Sequence, residues 1–79
     1  MEEVLDGILT AIDEAIAAQE MYQQLKEEAD GEKAKALFEQ LVKDEKSHEK
    51  LLRSRYEAIK SNLEKKYFNL HIFIKLAII

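Results

Sequence analysis

The chain contains no cysteine, no proline and no tryptophan, and only two glycines. Without cysteine there is neither a disulfide framework nor a thiolate-ligated zinc site, so a domain this small must be held by packing, by association or by a metal taken through other ligands. Without proline, and with glycine confined to Gly7 and Gly31, there is one credible interior break, at Asp30-Gly31. No apolar run reaches the ~17 to 25 residues that span a bilayer. Excess positive charge is absent too: 12 Lys and Arg stand against 16 Asp and Glu, a balance that disfavours a nucleic-acid backbone as partner. The opening Met1-Glu2-Glu3 is acidic where a secretory signal is basic and then apolar, and the lack of cysteine fits a reducing compartment. A cytoplasmic location is expected.

What remains is a sequence rich in Ala, Glu, Lys and Leu with apolar residues at helical spacing. A first helix over about Glu2 to Ala29 carries the stripe Leu5, Ile8, Leu9, Ile12, Ala15, Ile16, then Gln19 and Tyr22. Gly31 suits the left-handed conformation that ends a helix, and Asp30 is a candidate N-cap for the next. The second helix, from about Glu32, carries Ala34, Phe38, Leu41, Val42, Glu45, His48, Leu52, Tyr56, Ile59 and Leu63. So tight a turn makes the two helices antiparallel, and the fold class is an all-α helical hairpin.

Two helices alone cover only half of such stripes. Pairing two hairpins into a four-helix bundle turns the stripes inward, and a two-fold axis would bring both copies of Glu45 and His48 toward one another. The chain is expected to be at least a homodimer. Residues 1–66 are read as the hairpin domain. The segment 67–79, Tyr67 to Ile79, is mostly apolar but interrupted by His71 and Lys75, which makes membrane contact a weaker expectation than burial in an oligomer. It continues the stripe through Tyr67, Leu70 and Ile74 as a helix, while its β-branched residues equally suit a strand. Left free it would be an aggregation hazard, so a larger assembly through this tail is expected.

Chemistry concentrates in Glu45-Lys46-Ser47-His48. Residues three apart share a helix face, so the carboxylate and imidazole can ligate one ion or two adjacent ions. The same pair could instead bond to each other, to Gln19 or to a partner subunit and only set the register of a bundle. No glycine-rich phosphate loop and no serine or cysteine nucleophile arrangement is present, and His71 has no acid or second histidine at ligand spacing.

Several local features coincide: Ala11-Ile12-Asp13-Glu14, Met21-Tyr22, the Asp30-Gly31 turn, Ala36-Leu37-Phe38-Glu39, and Asp44-Glu45-Lys46-Ser47-His48 followed by Leu51-Leu52. Over about Ile12 to Arg55 the chain resembles the rubrerythrin branch of the ferritin-like proteins, and most closely the two-helix encapsulated-ferritin type, whose subunits pair to build a di-iron site. The resemblance implies metal ligation by Glu45 and His48, with iron as the cofactor and zinc as the alternative. It also places a first-helix glutamate ligand seven residues before Tyr22, where this chain has Ala15. Glu14 points away from the stripe and Glu20 lies at its edge, so Gln19 is the better candidate for a weak ligand or for a group that bonds to the ligands.

The functional expectation is a ferritin-like metal-binding protein with an iron or di-iron site between subunits, serving iron oxidation and storage or peroxide reduction. The alternative is a structural oligomerisation module with a degenerate, inactive site. Ferroxidase or peroxidase activity stands open because of Ala15.

Overall fold

The computed structural model describes residues 2–78; Met1 and Ile79 lie outside them, so the expectations for the first residue and the last tail residue are not addressed by it. Two helices account for nearly all of the described chain: α1, Glu2–Glu28, and α2, Glu32–Ile78. They pack against each other as an antiparallel hairpin. Acidic Glu2 and Glu3 in the first turn of α1 and Lys26 in its last turn complement the helix dipole, as do Glu32 and Lys75 in α2.

The break falls at the expected glycine. Gly31 has φ of +87°, a conformation that costs other residues a clash between Cβ and backbone. The Gly31 carbonyl accepts the first bond of α2, from the Lys35 N–H at 3.2 Å. Gly31, whose carbonyl takes this bond just before the first residue of α2, therefore occupies the N-cap position expected for Asp30. α1 closes with a 3.4 Å bond from the Ala29 N–H to the Lys26 carbonyl.

Contacts across the hairpin fix its register. Lys26 lies 3.8 Å from Glu39 near the turn, and Gln19 reaches Glu45 and Glu49 further up. Each step up α1 is matched by a step along α2, so Glu2 is level with about Leu63 at equal helical rise. Burial agrees: Ile59 and Leu63 are half-buried, whereas every described residue after Leu63 is exposed. The 47-residue α2 thus overhangs α1 by about four turns, and the longest dimension of the molecule, 73 Å, is essentially the length of this helix.

The tail is helical, so of the two conformations open to it from sequence the helix is the one found. With neither glycine nor proline after Gly31, nothing interrupts the hydrogen-bond ladder, and α2 runs through residues 66 and 67 without a break.

The core is thin. Ile12, Ala15 and Val42 are the buried residues among those described; of the other stripe residues up to Leu63, Leu9 and His48 are exposed and the rest half-buried. Leu37 and Leu51 are more than half exposed. Leu37, Leu41, His48 and Leu52 follow one another at helical spacing along one side of α2, leaving a largely apolar open face beside the α1 contact. No helix among the described residues is long and apolar enough to cross a membrane.

Candidate metal centre

Glu45 and His48 are brought together as their spacing requires: Nδ1 of His48 lies 3.6 Å from Oε2 of Glu45. That distance is too long for a hydrogen bond, so the two groups are adjacent without being locked to each other. The Glu45 side chain is 28% exposed and that of His48 54%. Glu45 sits at the margin of the helix contact, and His48 is on the open face one turn further. In the hairpin itself neither is the buried polar group that its place in the stripe suggested, because α1 covers only one side of that stripe.

The residue that α1 does cover is Glu49, which the sequence reading did not single out. Its Oε1 accepts a 2.8 Å hydrogen bond from Nε2 of Gln19, and its Oε2 accepts one of 2.8 Å from Nε of Arg53. These two bonds, the Gln19 one foremost and the Arg53 one reinforced by its charge, hold the Glu49 carboxyl below the usual glutamate range. Gln19 also approaches the Glu45 carbonyl, at 3.5 Å. It points inward as expected, and its amide spans from Glu49 to the backbone of Glu45. A signal for this cluster exists in the sequence: Glu49 and Arg53 are an i,i+4 pair in the favourable order, and Gln19 is the polar residue of the α1 stripe at that height.

Ala15 is only 3% exposed. The position at which the family resemblance calls for a carboxylate therefore faces α2 but carries a methyl group. Glu14 and Glu20 are both exposed, and Tyr22 and Tyr56 are half-buried. His71 lies on the exposed overhang. A groove of about 510 Å³ on the hairpin is lined by Gln19, Glu20, Gln23, Gln24, Glu27, Val42 and Lys46. It runs along the polar back of the hairpin and includes neither Glu45 nor His48.

No group of three or more His, Cys, Asp or Glu side chains converges among the described residues. Glu45 and His48 are two candidate donors on one helix, one of them half exposed.

No curated protein and no solved structure matches the chain. A model of the rubrerythrin family matches residues 6–77, a span that takes in the whole hairpin turn, the Glu45–His48 pair and most of the overhang. The two antiparallel helices, with this glutamate and histidine three residues apart on the second, are the setting of that match, and the chain belongs to the rubrerythrin family.

Proposed function

We propose that this chain is half of a ferritin-like four-helix bundle, most akin to the two-helix encapsulated-ferritin type, and that two copies bind metal through Glu45 and His48 of each. Iron is the proposed metal and zinc the alternative; family members typically bind iron. In this reading residues 1–66 form the bundle, residues 67–79 serve assembly, and the protein works in the cytoplasm.

The observation that carries the reading is the height of the pair. The doubled part of the hairpin spans Glu32 to about Leu63 on α2, so its midpoint falls at about Ser47, between Glu45 and His48. A two-fold axis across that midpoint overlays two hairpins along their full doubled length and sets both pairs face to face. A pair displaced from the midpoint would be separated by twice its displacement. The open face that such a dimer covers carries the exposed Leu37 and the half-buried Leu41 and Leu52, which gives the association an apolar driving force.

Two copies supply two carboxylates and two imidazoles, a donor set suited to tetrahedral zinc or to iron. Bound iron would supply redox chemistry for iron oxidation and storage or for peroxide reduction. The chain's own contribution would be ligation by Glu45 and His48, the apolar Leu41 and Leu52 on either side of the pair, and a backing in which Gln19 bonds to Glu49. Ala15 withholds a carboxylate from each copy, so about one ion per two chains is expected in place of a full di-iron pair. That same alanine favours a second reading, in which the bundle is a structural oligomerisation module with a degenerate, inactive site.

The test is elemental analysis of untagged protein purified without chelator, beside Glu45→Ala/His48→Ala. Iron or zinc retained at about one ion per two chains and lost in the variant supports the proposal. Equal background metal in both proteins would sink it and leave the structural module.

A further inference from the structure

The stripe that α2 turns toward α1 does not stop where α1 stops. Leu52, Tyr56, Ile59 and Leu63 are half-buried along the contact. The same helical face continues as Tyr67, Leu70, Ile74 and Ile78 in steps of three and four, with Phe73 and Ala77 beside them. On that continuation Tyr67 is 74% exposed, Leu70 54%, Phe73 69%, Ile74 47% and Ile78 79%. A groove of about 380 Å³ lined by Leu63, Lys66, Tyr67 and Leu70 opens at the point where α1 ends. The face is built to receive a helix in the track of α1, and no part of α1 reaches it.

We infer that this overhang docks against the overhang of a second copy, the two helices lying antiparallel. Three features of the molecule select this occupant. The receiving surface is an extension of a helix-to-helix contact already formed within the chain, so a helix of the same apolar pattern fits it, and the overhang itself is such a helix. Sterics set the direction: a parallel partner would drive its own preceding residues into the space that α1 fills, whereas an antiparallel partner leads away from the hairpin. Charge agrees as well. Residues 64–79 carry Lys65, Lys66 and Lys75 against the single Glu64, while residues 1–63 hold nine basic and fifteen acidic side chains. Antiparallel docking brings Lys75 of the second copy toward Glu2 and Glu3 at the start of α1, and sets the C-terminal end of one helix dipole against the N-terminal end of the other.

This contact rests on the assembly role proposed for residues 67–79 but is distinct from the bundle contact that would form the metal site. A two-fold axis at the height of Ser47 uses up the whole doubled length, so each overhang would project past the partner's turn uncovered. Two different two-fold contacts on one chain then join dimers end to end.

The experiment uses the full chain. Leu70→Glu/Ile74→Glu changes two exposed side chains beyond α1 and leaves the hairpin contacts intact. Its mass by sedimentation, measured over a hundredfold range of concentration, is expected to fall by about half or more relative to wild type, with hairpin helicity and metal content unchanged. Because the chain has no cysteine, a second readout is direct. Leu70→Cys, on the docking face, is expected to form disulfide-linked pairs on mild oxidation, and Ile72→Cys, on the opposite side of the helix, to form few. The Glu45→Ala/His48→Ala protein should keep the Leu70→Cys cross-link, which separates this contact from the metal site. Unchanged mass, or equal cross-linking at the two positions, overturns the inference. So does a wild-type chain that stays unassociated but co-sediments with phosphatidylserine-containing vesicles, which would assign the overhang to a lipid surface.

Discussion

Gln19 on α1 and Glu49 on α2 meet at 2.8 Å across the hairpin, and Arg53 holds the other oxygen of the same carboxylate. This is the one side chain to side chain hydrogen bond found between the two helices among the described residues. It secures register in a hairpin whose apolar contacts alone would tolerate sliding. Replacing Gln19 by Ala, or Glu49 by Ala, is expected to lower the melting temperature, and the double variant to lose less than the sum of the two. A strictly additive double-mutant cycle would show that the two residues act independently.

The same carboxyl sets an acid limb. Its value in the folded chain lies below the usual glutamate range, through the hydrogen bonds from Gln19 and Arg53 and the charge of Arg53. The folded state therefore gains stability that is fully present above the ordinary glutamate value and is lost as pH falls through the lowered one. Urea unfolding followed from pH 7 to pH 3 should show this loss in the wild type and a shallower one in Glu49→Gln. Identical acid limbs would remove Glu49 from the account.

Ala15→Glu restores a carboxylate where the family resemblance calls for one. At 3% exposure, an added carboxylate without a partner is expected to destabilise the metal-free protein by roughly 1 to 3 kcal/mol. Added iron should recover that stability and raise retained metal from about one ion per two chains toward one per chain. A variant as stable as wild type without metal, and with no more metal bound, would show that position 15 does not face the centre.

At the turn, Gly31→Ala is expected to cost about 1 kcal/mol, because φ of +87° lies where Cβ meets backbone. Beyond the flanking residues no atom stands within 4 Å of the Cβ that alanine would add, so the loss comes from the local backbone conformation alone. Gly31→Asn should be milder, since asparagine tolerates the left-handed region better. Equal melting temperatures for all three proteins would mean that the turn rearranges.

Much of this architecture is legible in the residues. Two long helical patterns separated by a lone Asp30-Gly31 leave few alternatives to a hairpin, and the steps of three and four through Ile12, Ala15 and Val42 mark the residues that are buried. The reading blurred where one stripe serves two faces. From Glu45, both His48 and Glu49 continue the helical spacing, and which of them faces α1 depends on how the helices roll against each other, which a single strand of sequence does not encode. The tail was ambiguous for a related reason: Ile72, Ile74 and Ile78 carry strand propensity, and the helix prevails because the backbone of α2 is never interrupted.

Three residues, Ala29, Asp30 and Gly31, join the two helices, and every interhelical contact closes across them. The shortest loop is closed first, near Lys26 and Glu39, and each later pair only lengthens a structure already begun. Such a chain has low contact order, and the hairpin should assemble on the microsecond to millisecond scale of small helical proteins. In the dimer proposed above, encounter between copies would then be the slow and concentration-dependent event. The rate at which functional protein appears should rise with protein concentration, while the rate of helix formation stays constant.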